Sequence, residues 1–189
     1  MKACFKALFL VLLVAFGASQ PYLHRLDLQR LLSEPNSLEQ TVITYNAADQ
    51  NGVMFVFGDG KVITQPKPSL LNNNMVVTCS ARIQQEDVRE LIRLMIEKKF
   101  FDLPERNYLV LYAAMEDDPF EAMKLHTIRI KSDEGAAQRS FGTGKYGAEQ
   151  LSIPDDFAVI ERKLIQLRDQ AYEAVKGKPC RFAPPVKDY

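Results

Sequence analysis

Tryptophan is absent from this chain, histidine occurs twice and cysteine three times. A zinc centre needs three or four His, Cys or carboxylate ligands at suitable spacing. His24 and His126, with Cys4, Cys79 and Cys180, lie too far apart in sequence to suggest one. An excess of either charge is also missing, because 24 Lys and Arg face 24 Asp and Glu. Nucleic-acid binding and adsorption to anionic membranes both depend on concentrated Lys and Arg, so the balance argues against both. No G-x-S-x-G elbow of a serine hydrolase is present. Phe141-Gly142-Thr143-Gly144-Lys145 lacks the spacing of a phosphate loop, and Tyr146 follows its lysine; it reads as a glycine-rich turn after a strand. None of the seven Asn residues begins an N-x-[ST] sequon.

Long apolar runs are equally scarce, with one exception. Lys2 and Lys6 precede the uncharged stretch Ala7–Phe16, and Gly17, Ala18 and Ser19 follow it. That order of charge, apolar run and small residues is the pattern of a secretory signal peptide. The run is about half of the roughly 20 residues a membrane-crossing helix requires, so a retained anchor is the weaker alternative. The expectation is a signal peptide over residues 1–19, cleaved after Ser19 or one or two residues earlier. The mature protein is then periplasmic or secreted, with no stable membrane insertion. Lys2 and Lys6 leave with the leader, so the remainder carries a slight negative charge. Cys4 leaves too.

Cys79 and Cys180 remain. In an oxidising compartment an isolated pair predicts one disulfide. Two buried free thiols and a catalytic thiol are the alternatives.

The mature length suits one domain. Residues 20–40 form a lead-in segment in which Leu23, Leu26, Leu31 and Leu32 suggest a short helix. Ser33-Glu34-Pro35-Asn36-Ser37 breaks it. Residues 41–178 form the domain, starting near Thr41, and residues 179–189 form a tail ordered only near Cys180. β-branched and aromatic runs predict strands at Thr41–Asn46, Val53–Phe57, Lys61–Thr64 and Met75–Thr78. Gly58-Asp59-Gly60 marks a hairpin between the second and third. Further strands are expected at Tyr108–Tyr112, Met123–Ile130 and Gln138–Thr143. Val88, Leu91, Ile92 and Met95 share one face of a helix over Gln85–Lys98. Phe100, Phe101 and Leu103 are expected to tuck under its end. A second helix is capped by Ser152 with Pro154 in its first turn. Its stripe is Phe157, Ile160, Leu164, Leu167, Ala171 and Ala174. Short connections imply antiparallel pairing. The fold class expected is α+β: two layers, with mainly antiparallel sheet covered by two amphipathic helices.

Candidate chemistry is sparse. His126 shares a strand side with Ile128 and Ile130, and it shows no partner that would make it a base. Glu116, Asp117, Asp118 and Glu121 form an acidic cluster without the alternating ligands of an EF-hand loop, so a solvated loop is the expectation. No catalytic residue, metal ligand or cofactor is assigned.

Four stretches carry a family resemblance. They are FVFGDGKVI at Phe55–Ile63, KKFFDLP at Lys98–Pro104, LHTIRIK at Leu125–Lys131 and IPDDFAVIERKLIQL at Ile153–Leu167. Through them the run from Thr41 to Tyr172 resembles a group of uncharacterised domains in exported bacterial proteins. The loops at Asn72–Asn74 and Glu116–Asp118 are local departures. The resemblance implies a bacterial, exported α+β domain and no known activity. The functional expectation is a non-enzymatic protein that binds another protein or an envelope component. The alternative is a secreted hydrolase or small-ligand-binding protein that uses loop carboxylates and His126.

Overall fold

The computed structural model describes residues 28–47, 52–66, 76–104, 124–133, 135–146, 149–175 and 180–186. The expected strand at Tyr108–Tyr112, the Asn72–Asn74 loop, His24 and the acidic cluster at 116–121 lie outside them.

Period-two alternation builds the sheet. Strands β1 (Val42–Ala47), β2 (Gly52–Phe57), β3 (Lys61–Pro66) and β4 (Val76–Arg82) follow one another as antiparallel neighbours. Strands β5 (Lys124–Ser132), β6 (Gly135–Tyr146) and β7 (Glu149–Leu151) form a second such run, and β8 (Arg181–Ala183) pairs with β4. The order across the eight-stranded sheet is β7-β6-β5-β1-β2-β3-β4-β8. Among the described residues every pairing is antiparallel, and β1 and β5 join the two runs.

One face of the sheet carries the core. Ile43, Tyr45 and Ala47 from β1 lie there with Met54 and Val56 from β2, Val62 from β3, Ile128 and Ile130 from β5 and Phe141 from β6. The helices that cover it include α3 (Gln85–Glu97) and α4 (Asp155–Ala174). Val88, Leu91, Ile92 and Met95 of α3 are buried, as are Phe157, Ile160, Leu164, Leu167 and Ala171 of α4. The protein is therefore an α+β, two-layer structure. Phe157 sits between Phe141, with centroids 4.7 Å apart edge to face, and Phe100, at 6.4 Å. Phe100 and Phe101 form a 3-10 turn beneath the end of α3. The opposite sheet face has a smaller cluster of Val42, Phe55 and Ile63, against which Val186 packs.

Several expectations are corrected. The core begins before Thr41, because residues 28–33 form a helix, α1, whose Leu28 and Leu31 are buried in the core. Pro35 does not end the helical segment. It opens α2 (Pro35–Glu39), where a missing N–H costs nothing, and Leu38 of α2 is also buried. Ser152 does not cap α4. Pro154 holds the N-cap position in extended backbone (φ −58°, ψ 142°), with no side-chain cap. The residue before a proline is pushed away from helical backbone, so α4 starts later, with Asp155 and Asp156 in its first turn. Ala174 is exposed, so the buried stripe stops at Ala171. Gly142–Gly144 is not a turn: β6 runs through it and passes from pairing with β5 to pairing with β7. Gly144, with φ 114°, accepts the backbone needed at that transfer.

The β2–β3 hairpin is also a docking point. Asp59 Oδ1 accepts from the Lys61 N–H at 2.9 Å, and Gly60 has φ 83°. Gly58 donates its N–H to Thr41 O at 2.8 Å. A Cβ at Gly58 would lie 1.5 Å from Leu38 O, so the approach of α2 requires glycine here.

Candidate functional site

Strand alternation points His126 into the helix-covered face, opposite the small Ala47 on one side and Phe141 on the other. Tyr45 lies on the same face of β1. Glu161 follows the buried Ile160 at the edge of the α4 stripe. These three residues meet. Glu161 Oε1 accepts from Tyr45 Oη at 2.7 Å and from His126 Nδ1 at 2.6 Å. A carboxylate is only an acceptor, so the proton of the second bond sits on Nδ1. The His126 and Glu161 side chains are 9% and 12% exposed. Sequence reasoning found His126 and its side of the strand but not its partners. The missed signal was an acid one position beyond an apolar stripe residue, on a helix that covers this strand.

A histidine oriented by a carboxylate resembles two parts of a hydrolytic triad, which also needs a nucleophile within hydrogen-bond reach. Among the described residues, no serine, threonine or cysteine is hydrogen-bonded to His126. His126 and Glu161 line neither of the two large recesses described below. What the network does is fix α4 to β1 and β5. Among the described residues, no group of three His, Cys, Asp or Glu side chains could hold a metal ion.

The first recess, of about 600 Å³, lies where the second half of α4 overhangs the ends of β1 to β4. Arg168, Asp169 and Tyr172 form its helical wall, and Tyr45, Met54 and Val77 line the sheet side. Tyr172 Oη is hydrogen-bonded to Thr64 Oγ1, which holds the phenol ring over the opening. Arg168 Nη2 and Asp169 Oδ1 pair at 2.9 Å on the rim. Val77 and Tyr172 are the large hydrophobic side chains exposed among the described residues, at 42% and 39%. Both belong to this one cleft.

The second recess, of about 520 Å³, lies on the sheet face turned away from the helices. Thr44, Asn46, Thr127, Arg129 and Gln138 line it, and Pro185 and Val186 wall one side. The Val186 N–H donates to Gln65 Oε1 at 3.1 Å and holds that wall in place.

Cys79 lines the first recess and is bonded to Cys180, whose Cα lies 4.6 Å away. The bridge anchors the C-terminal segment to β4 just before β8 begins. Among the described residues, no helix is long and apolar enough to cross a membrane.

No protein-family model matches this chain, and no curated protein matches it.

Proposed function

We propose that this is an exported bacterial protein, periplasmic or secreted, whose work is binding rather than catalysis. It takes another protein or an envelope component into the cleft between the second half of α4 and the ends of β1 to β4. One observation carries the reading: the large apolar side chains exposed among the described residues, Val77 and Tyr172, converge on a single recess. Isolated surface hydrophobics need no explanation, but two that share a concavity with Met54 beside them form an anchor pocket. The fixed Tyr172 ring gives contact area at small entropic cost, and the Arg168–Asp169 pair supplies a polar rim. Export is supported by the leader pattern of residues 1–19 and by the bonded pair Cys79–Cys180. The likeness of Thr41–Tyr172 to exported bacterial domains is part of the same proposal.

The test is retention of an envelope component by immobilised mature protein. The wild type is expected to retain a discrete species, and Tyr172→Ala to lose it. Equal retention by Tyr172→Ala, or none above a control matrix by the wild type, would overturn the reading. Mass spectrometry of the exported chain is expected to show a start at Gln20; an intact Met1 would remove the export half of the proposal.

A further inference from the structure

Arg129 occupies an unusual place in the sheet. It lies on β5 between two strands, with Thr44 of β1 opposite on one side and Gln138 of β6 on the other. Cross-strand positions usually give a charge its complement, yet both neighbours are uncharged. Among the described residues, Arg129 makes no side-chain hydrogen bond or ion pair. A half-buried guanidinium presents planar paired donors suited to a carboxylate, and here the donors face a recess instead of a protein acid.

The rest of the lining narrows the ligand. Thr44, Asn46, Thr127 and Gln138 offer hydroxyl and amide groups that both donate and accept. Thr127 Oγ1 and Gln138 Nε2 are both hydrogen-bonded to Ser140 Oγ, at 3.0 and 3.1 Å, which fixes their positions. Val53 and Phe55 give an apolar floor. Among the described residues no Asp or Glu lines the recess, and Arg129 is its one charged side chain. That lining suits a single carboxylate better than a cation or a phosphate dianion. A ligand that brings one carboxylate, several hydroxyls and an apolar face of C–H groups satisfies every part of this lining.

We infer that the recess on the helix-free face binds an acidic sugar of the uronic-acid class, with Arg129 taking the carboxylate and the Thr, Asn and Gln side chains taking hydroxyls. The site shares Val53 and Gln65 with the cleft at Tyr172, but Arg129, Thr44, Asn46, Thr127 and Gln138 line this recess alone and Tyr172 does not reach it.

The experiment is calorimetric titration of the purified protein, disulfide intact, with D-glucuronate. Saturable binding is expected. D-Glucose keeps the hydroxyls without the carboxylate, acetate keeps the carboxylate without the hydroxyls, and glucose 6-phosphate exchanges the anion. Each is expected to bind at least about tenfold more weakly, the scale of losing charge-assisted or several neutral hydrogen bonds. Arg129→Gln is expected to weaken glucuronate by about tenfold or more. Should that variant fail to fold, Arg129→Lys keeps the charge, loses the fork and is expected to weaken glucuronate measurably. Tyr172→Ala is expected to leave glucuronate binding unchanged, so failure here is distinguishable from failure of the cleft. No saturation with glucuronate, acetate binding as tightly, or unchanged affinity in Arg129→Gln would each overturn the inference.

Discussion

Glu161 ties a helix to two strands through a single oxygen atom. Oε1 accepts from both Tyr45 and His126, so truncating the acid removes a hydrogen bond from each of two buried side chains. Glu161→Ala is expected to lower unfolding free energy by about 3 kcal/mol or more, because two hydrogen bonds to a carboxylate, each worth about 1.5–3 kcal/mol, are lost together. Tyr45→Phe removes one hydrogen bond and is expected to cost about 1 kcal/mol. Urea denaturation checks both, and a Glu161→Ala protein as stable as the wild type would show that the network carries no structural weight. Glu34 offers a pH test at the opposite, exposed extreme. Hydrogen bonds from Arg30 and then Ser37 hold its carboxyl below the ordinary value. Its support of the α1–α2 junction is therefore complete above the unfolded-state value and fades as pH falls through the lowered folded-state one. An NMR titration of the Glu34 side chain is expected to give a midpoint below that of an exposed glutamate, and Arg30→Ala to raise it. Alternation showed which way His126 points. Nothing in sequence joins His126 to Glu161, since the two lie 35 positions apart on elements whose docking depends on the whole core.

At the scale of elements, the apolar stripes were legible and the ends were not. Val88 to Met95 and Phe157 to Ala171 announce their buried faces through spacing, because a helix repeats its face every three or four residues. Ends depend on local competition. Pro154 displaced the start of α4 past the serine that could have capped it. The Leu28, Leu31 and Leu38 face spans a break that Pro35 converts into a new helical start. The core can therefore be tested at both kinds of position. Leu164→Ala, in the legible stripe, is expected to cost about 2–5 kcal/mol. Leu31→Ala, in the segment expected to lie outside the domain, is expected to fall in the same range; a loss under about 0.5 kcal/mol, typical of surface positions, would remove α1 from the core. Gly58→Ala sets a Cβ against Leu38 O and is expected to destabilise by more than about 2 kcal/mol, since backbone there has no room to yield. The same thermal or urea melts read all three.

For the whole molecule, the disulfide closes a span of 101 positions. Chain-entropy reasoning assigns about 4.7 kcal/mol to a loop of that size, with measured values commonly 2–4 kcal/mol. Reduction is expected to lower stability by that order and to raise amide exchange at Val76–Thr78, where β8 pairs through only three residues. Unchanged exchange after reduction would show that β8 holds without its bridge. The antiparallel two-layer plan was readable from strand punctuation, but the strand order was not. Hairpin turns report which strands follow one another, not which of them meet across the middle.

That middle has a consequence for biogenesis. The first four strands can zip up locally, and so can the next three, but β1 receives β5 only after about forty further residues beyond β4 have emerged. Until then β1 presents a bare, unpaired flank, with Tyr45 awaiting a helix made later still. Nascent chains in this condition are the sticky ones. A polypeptide held extended until its last strands are made would never display that flank alone, and the architecture favours assembly after synthesis over assembly during it.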